Sequence, residues 1–214
     1  MLARQCCDKS AAPHFFPCRG LPDTDFGGKS AGAYPLGMDP FAAPAPGFDE
    51  PLEMLAACHE RIEAQLCTLE KLVEHVSVNG ADKAAREAAA QVMRYFDTAG
   101  VEHHRDEDEE IFPLLRRIAA ERDRPEVSAV INGLEEDHST MDAQWSRLRQ
   151  RLDAIAAGRD ARLDAEDVAP FAWLYRRHME KESALVLPFA REAIGERERA
   201  LLGSRMAARR TIRA

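Results

Sequence analysis

No run of 18 apolar residues occurs in this 214-residue chain, so no membrane-spanning helix is expected. The cationic surplus of a general nucleic-acid binder is missing too: 29 Lys and Arg stand against 37 Asp and Glu, a formal charge of −8. The five cysteines (Cys6, Cys7, Cys18, Cys58, Cys67) form no paired C-x-x-C framework and read as reduced thiols of a cytoplasmic protein, not as a disulfide scaffold. Arg4 is followed by no apolar core segment before the first prolines, so no secretory signal is expected. No segment of any length alternates with the two-residue period of a strand. What is present suits one soluble domain with appendages: 45% hydrophobic and 31% charged residues, in a chain long enough to bury a sizeable core.

Residues 1–48 are rich in Gly, Pro, Ser and Ala without sustained period, the composition of a disordered leader. Met38 is a second candidate start, which would make most of this leader a mis-assigned extension. Residues 49–195 have a helical period throughout. Asp49 or Glu50 caps a first helix with Pro51 in its first turn. Its seam runs Leu52, Leu55, His59, Ile62, Leu66, Leu69, Val73, Val76, and Asn79-Gly80 closes it. A second helix from about Ala81-Asp82 carries Val92, Phe96, Ala99, His103 and Glu107 inward. Pro113 then kinks or restarts it. A third, from about Pro125 to Ala157, places His138 in its seam and ends at Gly158. A fourth, from about Asp164, carries Val168, Phe171, Tyr175, His178, Glu182 and Leu185. Past Pro188 the chain stays helical to about Ala200, and residues 196–214 form a helical and basic tail (Arg205, Arg209, Arg210, Arg213) read as a solvated end. Long helices joined by short turns predict an all-α, antiparallel up-down-up-down four-helix bundle with kinked helices and a short C-terminal helix.

The densest chemistry is Glu102-His103-His104-Arg105-Asp106-Glu107-Asp108-Glu109-Glu110-Ile111-Phe112-Pro113. Its skeleton returns downstream: His103 and His178, Glu107 and Glu182, Pro113 and Pro188 are each 75 residues apart. A repeat that keeps the His, the Glu and the Pro is not surface decoration. Mid-length positions of four antiparallel helices share one height, so His59, His103, His138 and His178 converge, with Glu107 and Glu182 one turn along.

Burying two unpartnered carboxylates costs several kcal/mol each, against a domain stability of about 5–15 kcal/mol. No Lys or Arg falls on these seams near the layer, which leaves the imidazoles and a bound cation as compensation. Four imidazoles and two carboxylates suit first-row transition metals, and the oxygen content disfavours a structural zinc. Six ligands are too many for one four-coordinate ion. They fit two ions bridged by the glutamates: a di-iron centre, with di-manganese or a mixed pair as the lesser alternative.

The pattern His59 … His103-x3-Glu107 … His138 … His178-x3-Glu182, each Glu followed by Phe112-Pro113 or Leu187-Pro188, resembles the hemerythrin-like (HHE cation-binding) domain over about residues 51–190. The resemblance implies that His59, His103, Glu107, His138, His178 and Glu182 ligate two irons, with the glutamates bridging. Two departures from the oxygen carriers stand out. Asp142 occupies the position of their second third-helix His, and the last helix carries His-x3-Glu in place of His-x4-Asp. Simple reversible oxygen carriage is not what these changes favour. Glu63 and Asp142, each four residues after a seam His, stay open as further ligands or water-linked neighbours. His104, turned about 100° from His103, reads as a supporting or surface residue. Asp106, Asp108, Glu109 and Glu110 read as a solvated face, and Tyr175 as core.

Three functions are compatible with these residues. The first is a cytoplasmic non-haem di-iron protein, monomeric or weakly oligomeric, that binds or senses dioxygen, nitric oxide or iron, with an electron-transfer protein as a second partner. The second is a redox enzyme built on the same site, turning over peroxide or nitric oxide, repairing iron centres or oxidising iron. No nucleophile or organic-cofactor motif adds to that reading, and only Glu135-x-x-His138 resembles the paired motif of ferritin-type oxidases. The third, a metal-free interaction module, leaves the buried carboxylates unexplained.

Overall fold

The computed structural model describes residues 46–159 and 162–211, and these are all helix and connecting turn, with no strand among them. In chain order the elements are α1 (Pro51–Asn79), α2 (Lys83–Asp97), α3 (Ala99–Asp106), a π-helical turn (Glu107–Ile111), α4 (Phe112–Glu121), α5 (Pro125–Ala156), α6 (Ala165–Lys181), a second π-helical turn (Glu182–Val186), α7 (Leu187–Ala193) and α8 (Glu196–Thr211). Residues 1–45 of the expected leader lie outside the described residues, as do Cys6, Cys7 and Cys18. Cys58 is a free thiol. Cys67 is disulfide-bonded, so the cysteines are not all reduced as expected.

Local chemistry sets the ends. Pro51 and Pro125 stand in the first turns of α1 and α5, where a missing N–H leaves no bond unmade. Gly80 and Gly158 close the same two helices at φ of 65° and 68°, backbone that glycine adopts without a Cβ penalty. Asp82 caps α2 by accepting the Ala85 N–H at 2.8 Å. A break at Thr98 separates α2 from α3 and moves the phase by one residue. Gly100 is therefore buried, while Ala99, expected on the seam, is exposed. A Cβ at Gly100 would sit 3.3 Å from the Phe96 ring, so the smallest residue takes the inward place.

The expected interruptions at the two prolines take a definite form. The Phe112 N–H bonds to the Glu107 carbonyl and the Leu187 N–H to that of Glu182, each five residues back. Proline cannot donate to the fourth residue behind it, and its ring crowds that carbonyl. A widened turn just before Pro113 and Pro188 relieves both problems, and helical bonding continues through α4 and α7.

Helix α1 packs on α2 and α6, and α5 closes the circuit by packing on both α2 and α6. At the other end α4 packs on α5 and α7, with α1 against α7 and α8. The apolar interior falls into two clusters. One is built on Ile62, Leu66, Leu69, Val92, Phe96, Leu152 and Phe171, the other on Leu55, Phe112, Leu115, Ile131, Leu134 and Phe189. The buried polar residues His103, His104, Asp106, Glu107, His138, His178 and Glu182 belong to neither.

The basic C-terminal segment is not a solvated end. The chain breaks helix at Ile194-Gly195 and resumes as α8, whose Leu202 and Met206 are buried in the second cluster. Arg213 lies outside the described residues. No helix among the described residues is long and apolar enough to cross a membrane.

Candidate metal centre

In two His/Glu pairs the histidine stands on a helix, His103 on α3 and His178 on α6, and the glutamate four residues on, Glu107 or Glu182, so each pair faces one way on adjacent turns. Both glutamates begin a π-turn, where the helix is widest. His59 from α1 and His138 from α5 enter from the remaining sides. The six residues expected from the sequence are thus brought to one place. His103, Glu107, His178 and Glu182 are each at most 1% exposed, and His138 is 4% exposed.

The contacts pair off in a regular way. Glu107 sets Oε1 3.3 Å from His103 Nε2 and Oε2 3.3 Å from His138 Nε2. Glu182 sets Oε2 2.9 Å from His59 Nε2 and Oε1 3.4 Å from His178 Nε2. Each carboxylate therefore spans two imidazoles from different helices. The His138 and His178 Nε2 atoms face each other at 3.1 Å. Donor atoms of His59, His103, Glu107 and Glu182 lie within 4.8 Å of one another, as do those of Glu107, His138 and His178. The two groups share Glu107.

All four carboxylate oxygens, together with His59 Nε2 and His103 Nε2, are buried without a hydrogen-bond partner despite this closeness. The ion-pair partners of Glu107 and Glu182 among the described residues are imidazoles alone. Four carboxylate oxygens without hydrogen-bond partners converge on imidazole nitrogens, an arrangement that a cation satisfies. The donor set fits the imidazole-and-carboxylate preference of iron or manganese.

The titration directions agree with that geometry. Burial pushes Glu107 well above the usual carboxylate range, and the neighbouring Glu182 adds to the rise. Burial also disfavours charge on Glu182, but the imidazoles of His178 and His59 outweigh it and hold that group well below the range. Burial lowers His103 to about 3, so its imidazole is neutral and free to offer a lone pair. For His138, burial is overcome by Asp108 and Glu107, which raise it to about 10. Two buried glutamates cannot both carry charge here on protons alone.

The surroundings contain residues that the sequence misplaces. Asp108 is exposed, as expected, and also sets its Oδ1 2.9 Å from His138 Nδ1. An N–H on Nδ1 donates there and leaves Nε2 for the interior. Asp106, likewise expected in solvent, is 1% exposed and held by Arg210 at 2.6 and 3.1 Å. Burial lifts its carboxyl above the ordinary range in spite of those bonds. A carboxylate three residues after His103 lies on the same flank of the helix, but nothing in the sequence says that α8 covers it. Asp137, which also neighbours the site, stands 3.7 Å from His178 Nδ1 and is held by Lys181 at 2.6 Å.

The open residues resolve. Glu63 points both oxygens at Arg176, at 2.8 and 3.0 Å, and Arg176 also holds Glu70 at 2.6 Å, so Glu63 is engaged away from the cluster. Asp142 is exposed and outside both donor groups. Tyr175 is buried, with its ring stacked 5.6 Å from that of His104. His104 is no surface residue: it is 8% exposed, and its ring lies 4.0 Å from that of His138 at 15°. Burial holds its imidazole well below the ordinary range, so the ring is neutral.

An all-helical protein with a buried His/Glu cluster fit for metal is the class that fold and site define. The model of the Hemerythrin HHE cation binding domain matches residues 50–190, and the chain belongs to that family. A protein of Haemophilus influenzae, described only as uncharacterized, is 28% identical over 166 residues, which span 78% of this chain and 93% of that protein.

Proposed function

We propose that this is a non-haem di-iron protein that binds or senses a small ligand, dioxygen or nitric oxide, or iron itself. His59, His103, Glu107 and Glu182 hold one ion, and His138 and His178 with the second oxygens of both glutamates hold the other. The observation that carries the reading is the pair of glutamates, each with one oxygen beside a histidine of either half and none of the four oxygens hydrogen-bonded. Iron bound there supplies affinity for small oxidants and nitric oxide and access to two oxidation states. The chain's own part is to keep His103 neutral by burial and to fix His138 through Asp108. Fewer nitrogens than in the oxygen carriers, with Asp142 exposed where they have a histidine, favour sensing or redox use over reversible carriage. A cytoplasmic site of action and an electron-transfer partner belong to this reading. So do the antiparallel up-down-up-down bundle of α1, α2–α4, α5 and α6–α7 and its extent over residues 49–195.

Elemental analysis of protein from iron-replete cells, with absorption spectra under air, nitric oxide and reductant, tests it. About two irons per chain and near-ultraviolet bands that respond to all three are expected from a bridged pair. A metal-free protein of equal stability overturns it.

A further inference from the structure

His104 follows His103 on α3 and therefore turns away from it toward α5 and α6. There its ring lies 4.0 Å from His138, 5.9 Å from His103 and 6.2 Å from His178, centroid to centroid. Three of the four candidate ligand rings thus surround it. Tyr175, His104, His138 and Phe112 make a run of near-parallel rings, with successive tilts of 21°, 15° and 15°. An imidazole carries at least one ring N–H whatever its charge. His104 Nε2 is buried and has no hydrogen-bond partner.

Packing alone does not account for that atom. A phenylalanine would stack on His138 as well and leave no orphaned nitrogen. Nor does His104 belong to either group of converging donors. The half of the site next to it is the one formed by His138 and His178, whose rings lie 4.0 and 6.2 Å from its own.

We infer that His104 is the residue that recognises the exogenous ligand: its Nε2–H donates a hydrogen bond to the outer atom of a small ligand held on the His138/His178 half. The ligand class is a two- or three-atom species with an acceptor at its free end, such as dioxygen, nitric oxide or azide. This rests on the di-iron reading above. It assigns to His104 a contact with ligand, not with metal.

Azide is the probe, added to the oxidised, iron-loaded full chain. The variants are His104→Phe, which keeps the ring stack, and His104→Gln, which keeps a donor. Both are expected to hold as much iron as the parent. Azide should bind His104→Phe roughly ten- to a hundredfold more weakly, the fold-change of one charge-assisted hydrogen bond, with His104→Gln in between. The infrared stretch of bound azide should shift on transfer to D2O in the parent and stay fixed in His104→Phe. Unchanged azide affinity at full iron content overturns the inference. So does loss of iron in both variants, which would make His104 a metal ligand. Should His104→Phe fail to fold, the D2O shift in the parent and the affinity of His104→Gln decide. A parent chain without iron would fell the di-iron reading itself, an outcome separable from a failure of His104 alone.

Discussion

At the scale of single residues, the site concentrates cost and use in the same atoms. Glu107 is fully buried, and burial with its neighbour Glu182 works against its charge. Glu107→Gln keeps the shape and removes that charge. In the metal-free protein it is expected to raise unfolding free energy by roughly 1–3 kcal/mol, measured by urea titration in chelator. The same variant should retain less than half the parent's iron by elemental analysis. Greater stability with weaker metal retention separates a ligand from a structural carboxylate. His103→Ala and His178→Ala should lose iron as well, and the metal-dependent part of the thermal midpoint should vanish with it.

The elements show where the sequence could be read and where it could not. The six inward residues were legible because the helical period points at all of them and a 75-residue repeat at His103, Glu107, His178 and Glu182. The burial of Asp106 and His104 was not, because both precede the π-turn on α3 and are covered by elements distant in sequence: Arg210 of α8 on Asp106, and the rings of His138 and Tyr175 on His104. The packing of α8 escaped the sequence for another reason, although its helical character did not. Its arginines look solvated in sequence, and only tertiary packing brings Arg209 and Arg210 onto Asp106 and Arg205 to 3.4 Å from Glu110. Arg210→Met alone leaves a buried carboxylate short of its main partner and is expected to cost roughly 2–4 kcal/mol. Adding Asp106→Leu should return most of that loss, a coupling that a double-mutant cycle in urea measures directly. Gly203 lets α8 approach the Phe48 backbone in contact with no room for a Cβ, so Gly203→Ala should loosen the same helix.

The α2 cap gives a pH-dependent prediction of its own. Asp82 is held below the ordinary carboxylate range chiefly by the Ala85 N–H, with His75 adding to it. A depressed folded-state value means stability that is present above the usual carboxylate range and lost as pH falls through the lowered one. Asp82→Ala should cost about 1 kcal/mol near neutral pH and nearly nothing in strong acid, read from denaturation midpoints at both.

Over the whole molecule, the polar layer stands apart from the two apolar clusters named above. Each cluster is a core of its own, and the continuous helices α1 and α5 run from one into the other. Bridging ions would tie α1, α3, α5 and α6 together at that level. Without them, the half containing Phe96 and Phe171 and the half containing Phe112 and Phe189 have reason to melt at different temperatures. Calorimetry on chelated protein should then show a broad or split transition, narrowing to one peak as iron is restored. In that event metal loading would decide whether the chain opens as one unit or one half at a time.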